Sequence, residues 1–183
     1  MSPEADRGVL RSLPDYLAPG LDILFVGINP SIPSARQGHY YANPRNRFWR
    51  AFNLAELAPE PLGPETDHRV LEFGIGFTDL VKRPSAGVAD LAARDFREGA
   101  TVLQEKLARY QPRLVCFQGI MVYQRYLRYT AGLGEKVALG LQRMTSGDAR
   151  HFVAPNPSPA NAAVSLEALA DWYRRLKEEL RDL

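Results

Sequence analysis

The sequence predicts a single α/β domain: a three-layer sandwich with a central, mainly parallel sheet and helices on both faces. Short, continuous apolar runs at 24–26 and in the LVCF stretch of 114–117 read as buried strands. Segments with apolar residues at helical spacing separate them, and that alternation argues for a parallel sheet covered on both sides. Polar turns follow the first and the last apolar strand: GINPS at 27–31 and APNPSPAN at 154–161. Two such turns are how an open sheet builds a site at its carboxyl edge.

Residues 1–20 contain prolines and no strong period, and read as an extension leading into a domain over 21–183. The first strand is expected at 22–26, and Gly27 then lets the chain bend. A long loop at 31–44 carries Gly38, His39, Tyr40 and Tyr41. Asn43 and Pro44 lead into a helix over 45–55 with Phe48, Trp49 and Phe52 on one face. A link rich in proline (Pro59, Pro61, Pro64) precedes a short helix near 65–73. In GIGFTDLVKRPS at 74–85, apolar residues flank Thr78 and Asp79, and a basic turn ends at Pro84. Ala100, Leu103, Leu107 and Tyr110 recur at helical spacing until Pro112 stops the helix. A strand follows at 113–117, then a helix opened by Gly119 that runs to about Tyr129, then a basic hairpin within 137–153. In the final helix Leu166, Leu169, Tyr173, Leu176 and Leu180 step by three and four.

At 183 residues, 45% apolar, the chain can bury a substantial core. No apolar run approaches the length of a membrane span, so no membrane partner is expected. The single cysteine, Cys116, excludes an intramolecular disulfide and leaves too few thiolates for a cysteine-ligated cluster. A lone thiol fits a cytoplasmic protein. A net charge of +2 does not announce nucleic-acid binding. Arg36, Arg45, Arg47 and Arg50 nevertheless crowd the segment after the first turn, where charge alone reads as a solvated helix start. There is no internal repeat, Walker A motif or GxGxxG, so nothing supports nucleotide hydrolysis or dinucleotide binding.

GINPS at 27–31, YANPRNRFW at 41–49, LVKRPS at 80–85, APNPS at 154–158 and VSLEAL at 164–169 appear in that order. Together they resemble the mismatch-specific uracil-DNA glycosylase / thymine-DNA glycosylase family over about 21–176. The resemblance implies a uracil-DNA glycosylase-like fold, a monomer, and no metal or organic cofactor. It also implies hydrolysis of the N-glycosidic bond of uracil in DNA, especially at U:G mismatches, leaving an abasic site. That reaction needs a base taken out of the stack and donors aimed at the departing anion. It also needs negative potential near the sugar and an oriented water.

By this resemblance Asn29 positions the attacking water; an amide orients water but is too weak a base to deprotonate it. The competing reading is that Asn29 only stabilises a turn. Backbone amides around Ile28 bind the base, Ser34 lines the pocket, and Tyr41 stacks on the flipped base unless it simply packs on the core. Asn156 stands where several related branches carry a histidine that supports the leaving base, so a possible cation is missing. Ser158, Pro159, Ala160 and Asn161 occupy the DNA-binding segment where the bacterial pattern has an apolar wedge and an arginine. No large apolar wedge is visible there.

Asp79 is the second departure, at a place where the bacterial pattern tends to be basic. A carboxylate there could accept a proton from the water and stabilise a positive sugar. The alternative is a turn carboxylate paired with Lys82 or Arg83, or a cap. Arg36, Arg45, Arg47, Lys82 and Arg83 are expected at DNA phosphates, with strong salt dependence, unless they pair with carboxylates instead. His39 is expected at the surface near the pocket loop. No lysine stands in a recognised nucleophile position, so lyase activity is not expected. Two competing functions are a nucleic-acid-binding module without turnover and a superfamily member with another base preference.

Overall fold

The computed structural model describes residues 10–132 and 136–183; residues 1–9 of the expected extension lie outside them. Among the described residues the sheet has five strands: β1 Ile23–Gly27, β2 Ile75–Asp79, β3 Leu114–Gln118, β4 Gly140–Ser146 and β5 Ala149–Ala154. Their order is β2-β1-β3-β5-β4, parallel throughout except for the β4–β5 hairpin. Every residue of β1, β2 and β3 is buried, and β1 and β3 accordingly read as apolar runs; β2, where no strand was expected, buries the polar Thr78 and Asp79, and β4 at the edge alternates. From β1 the chain moves outward to β2, then returns to place β3 on the other side of β1. The carboxyl ends of β1 and β3 therefore flank a topological switch point, where such sheets open a crevice.

Successive side chains of a strand face opposite sides, and β1 divides accordingly. Phe25 enters a core with Phe48, Phe77 and Tyr173, covered by α2 (Phe48–Leu54), α5 (Leu166–Arg181) and a 3-10 helix at Pro64–Phe73. Leu24 and Val26 enter the other, against α3 (Ala93–Tyr110) and α4 (Ile120–Thr130). The predicted three-layer architecture is the one observed. No described helix is long and apolar enough to cross a membrane.

Three local readings change. The segment expected to be a long loop contains a helix, α1 (Ile32–Gln37). Ser31 caps it by accepting from the Ser34 N–H, Pro33 sits in its first turn, and Gly38 ends it in the left-handed conformation. The helix expected from residue 45 begins at Phe48. Asn43 and Asn46 side-chain oxygens accept from the Arg45 and Phe48 N–H groups and hold the preceding residues as turns. Within residues 10–20, Tyr16 exchanges both backbone hydrogen bonds with Phe77, so this segment lies against the outer edge of β2.

Candidate active site

A cavity of about 180 Å³ opens at the carboxyl ends of the parallel strands and draws its lining from all of them. Ile28 and Asn29 follow β1, Asp79 ends β2, Gln118 ends β3, and Asn156 and Ser158 follow β5; Ser34 and Tyr41 close the side. The turns after the first and last parallel strands thus converge on one space. A larger groove, about 860 Å³, lies at the other end of the sheet around Pro112, Arg113 and Asp148, and holds none of the motif residues.

The first turn is stitched to the segment after β2. Leu80 and Val81 N–H groups donate to the Gly27 and Ile28 carbonyls at 2.8 Å, and Ser85 N–H donates to the Pro30 carbonyl. Asn29 Nδ2 donates to the Arg83 carbonyl (2.9 Å) and to Ser85 Oγ (2.8 Å), whose own proton goes to the Gly87 carbonyl. With both amide protons committed, Asn29 Oδ1 is left as an acceptor with no hydrogen bond among the described residues. Turn stabilisation and an oriented acceptor coexist in one side chain.

Asp79 is 6% exposed, and its Oδ2 has no hydrogen-bond partner among the described residues. Burial pushes its carboxyl up to about 6; Lys82 pulls the other way, Asp15 adds to the rise and Lys106 opposes it. Neither basic neighbour bonds to it. Lys82 Nζ and Lys106 Nζ both go to Asp15, at 2.8 and 2.6 Å, and Arg83 pairs with Asp95 at 2.6 Å. The ion-paired alternative for Asp79 is therefore not the arrangement present. Gly27 makes room for the carboxylate: a Cβ there would lie 2.5 Å from Asp79 Oδ1 and 3.7 Å from the Tyr41 hydroxyl.

Tyr41 adopts a left-handed φ of 53° and stacks on Phe48, with centroids 3.9 Å apart and planes 17° from parallel. It both packs on the core and lines the cavity. Burial, with Asp79 nearby, holds its phenol well above the usual range, so it is neutral. Ser34 Oγ accepts from the Ala42 N–H and from Ser31 Oγ, tying α1 to the Tyr41 segment. Asp67, not singled out by sequence, anchors the same segment: it accepts from the Tyr40 N–H (2.8 Å) and the Tyr16 hydroxyl (3.0 Å), and meets His39 Nδ1 at 3.3 Å.

In the second turn Asn156 Oδ1 accepts from the Ser158 N–H at 2.9 Å, and Asn161 Nδ2 donates to the Asn156 carbonyl. That leaves Asn156 Nδ2 as a donor with no partner among the described residues. Gly119, at φ +125°, lets α4 start beside it, since a Cβ there would sit 3.2 Å from Asn156 Cβ. Gln118 was also missed. It is buried, and its Oε1 accepts from the Tyr173 hydroxyl at 2.7 Å. A polar residue closing the LVCF strand immediately before Gly119 was the available signal.

The basic residues divide. Arg36 and Arg45 are exposed and have no ion pair among the described residues. Arg47, grouped with them by sequence, turns inward: its guanidinium donates to the carbonyls of Val164, Ser158 (2.9 Å) and Asn161 (2.6 Å). Lys82 and Arg83, also expected at phosphates, have the carboxylate partners that were their alternative. Pro159 and Ala160 are exposed at the tip of the second turn, while Asn161 lines an adjoining cleft with Ile120 and Met121. Among the described residues no cluster of three or more His, Cys, Asp or Glu is placed to hold a metal ion.

The chain matches the family model of the uracil DNA glycosylase superfamily over residues 14–181. It is also similar to a solution NMR structure from Methanosarcina acetivorans, described as a candidate uracil DNA glycosylase. The two are 25% identical with a TM-score of 0.57, over 92% of this chain and 98% of that one.

Proposed function

Because the chain belongs to the uracil DNA glycosylase superfamily, we propose that it is a monofunctional, mismatch-specific DNA glycosylase acting as a monomer. It flips uracil out of the duplex, preferentially from U:G pairs, and hydrolyses the N-glycosidic bond. The extruded base stacks on Tyr41 and is held by the backbone near Ile28 and by Asn156 Nδ2. Asn29 Oδ1 orients a water toward the anomeric carbon. As the bond breaks, its electron pair leaves on the base, Asp79 faces the developing positive charge on the sugar, and the water proton passes to Asp79. Arg36 and Arg45 meet phosphates, and Ser158, Pro159, Ala160 and Asn161 approach the DNA without a bulky wedge.

The observation that carries this reading is an unpartnered, buried carboxylate in the same small cavity as an amide with a free acceptor oxygen. Burying a charge without a partner is costly, and a module that merely binds DNA has no use for it. The test is single-turnover excision from oligonucleotides carrying uracil in single strands, U:A and U:G pairs, and thymine in T:G pairs, read by alkaline cleavage. Wild-type protein should act best on U:G, and Asp79→Asn should slow it by about 100-fold or more, the range of a lost general base. An unchanged rate in that variant rejects the role of Asp79. No cleavage by wild-type protein on any substrate rejects the glycosylase.

A further inference from the structure

We propose that Arg47 is a positioning residue for the leaving base. It holds the 157–164 loop from behind and lends it a positive charge that no carboxylate among the described residues neutralises. The proposal rests on the glycosylase reading above and names the part of the chain that prepares the departure side.

Arg47 occupies the position just before α2 yet makes no side-chain cap bond there. A cation at the positive end of a helix is unfavourably placed, so local helix physics gives no reason for it. Its reason lies across the chain. The guanidinium donates to the carbonyls of Ser158, Asn161 and Val164, and the Arg47 backbone N–H donates to the Pro157 carbonyl at 3.1 Å. Its Nε is buried without a partner, and no carboxylate pairs with it among the described residues. It does not line the cavity but stands behind the loop that does.

The bonds run in series toward the site. The guanidinium fixes the carbonyls of Ser158 and Asn161, the two residues whose backbone N–H and side-chain Nδ2 donate to Asn156 Oδ1 and to the Asn156 carbonyl, and Asn156, which lines the cavity, keeps an Nδ2 without a partner among the described residues. Amides linked this way strengthen one another, so Asn156 becomes a better donor to a base leaving as an anion. The charge acts along a second line too. Burial holds the Tyr173 phenol well above its usual range, Arg47 is among the influences opposing that rise, and Tyr173 donates to the cavity residue Gln118.

Help to a leaving group matters most when the group leaves badly. Arg47→Gln and Arg47→Lys should be compared with wild type in single-turnover excision of uracil and of 5-fluorouracil, a better leaving base, from one sequence context. Arg47→Gln should slow uracil excision by about 30-fold but 5-fluorouracil excision several-fold less, an indirect donor being worth less than a direct one. The ratio of the two rates within one preparation is independent of its folded fraction. Arg47→Lys, which keeps the charge but loses the fork, should lower both rates and keep the wild-type ratio. The salt dependence of DNA binding should be the same in all three proteins. Equal slowing of both bases in Arg47→Gln overturns the proposal, leaving a merely structural residue. A salt slope that falls by about one also overturns it, in favour of a phosphate contact. Wild-type protein that excises neither base removes the glycosylase reading itself, and is recognised before any variant is compared.

Discussion

Asp67 and Asp79 are two buried aspartates with opposite hydrogen-bond accounts. Asp67, fully buried, accepts from Tyr40 N–H and the Tyr16 hydroxyl and meets His39. Asp79, nearly as buried, leaves Oδ2 without a partner among the described residues and is pushed up to about 6. The first is what a fold does with a carboxylate it keeps for stability. The second lowers stability and persists at the mouth of the sheet, where a reactive group is useful.

The sharpest way to break this contrast is to neutralise both. Asp79→Asn should lose about 100-fold or more of its excision rate. At pH 8 it should nonetheless be about 3 kcal/mol more stable to urea, two pKa units being worth that much. Asp67→Ala should be less stable by about 3 kcal/mol, because the buried Tyr40 N–H and the partly buried Tyr16 hydroxyl lose their acceptor. If both variants move stability the same way, the two carboxylates are not different in kind.

The pH dependence sharpens the same point. The folded-state pKa of Asp79 lies above its ordinary value of 3.8, so the native state holds that proton more tightly. The stability this contributes is fully present below about pH 4 and is lost as pH rises through about 6. The advantage of Asp79→Asn should therefore vanish in acid, as unfolding curves from pH 3.5 to 8 would reveal. Wild-type excision should fall as pH drops through about 6, when the carboxylate takes up its proton; a flat profile contradicts the assignment.

Gly27→Ala probes the space that Asp79 occupies. Forcing the carboxylate away from the first turn should lower the excision rate and cost about 1–3 kcal/mol of stability, a typical overpacking penalty. Normal excision in a folded variant would mean that the position of Asp79 is not critical. The smallest effects belong to the surface. Arg36→Ala and Arg45→Ala should each reduce the salt slope of DNA binding by about one, whereas Lys82→Ala should leave it unchanged. Equal slopes throughout would remove the distinction between free and paired cations.

Much of the fold was legible because strands buried on both faces must be apolar. The helix α1 was not: it is six residues long, begins with a proline in its first turn, and sits among polar residues. In the site, Asn29 and Asn156 were readable because they sit in the turns that end such strands, whereas Asp79 stood out only against the pattern of the family the sequence resembles. Asp67 and Gln118 were not, since the groups that give them meaning lie 27 and 55 residues away at Tyr40 and Tyr173. Arg47 misled for the same reason, its carbonyl partners lying 111, 114 and 117 residues further along.

The order of elements, the sheet's apolar strands and the two polar turns at their ends follow from the amino-acid sequence by itself, because periodicity and turn chemistry are properties of neighbouring residues. Which arginine is free and which is clamped, and which aspartate is satisfied and which is stranded, were decided only by tertiary structure. Hydrogen bonding and charge pairing act over a few ångströms of space, and nothing local to Arg36 and Arg47, or to Asp67 and Asp79, distinguishes them.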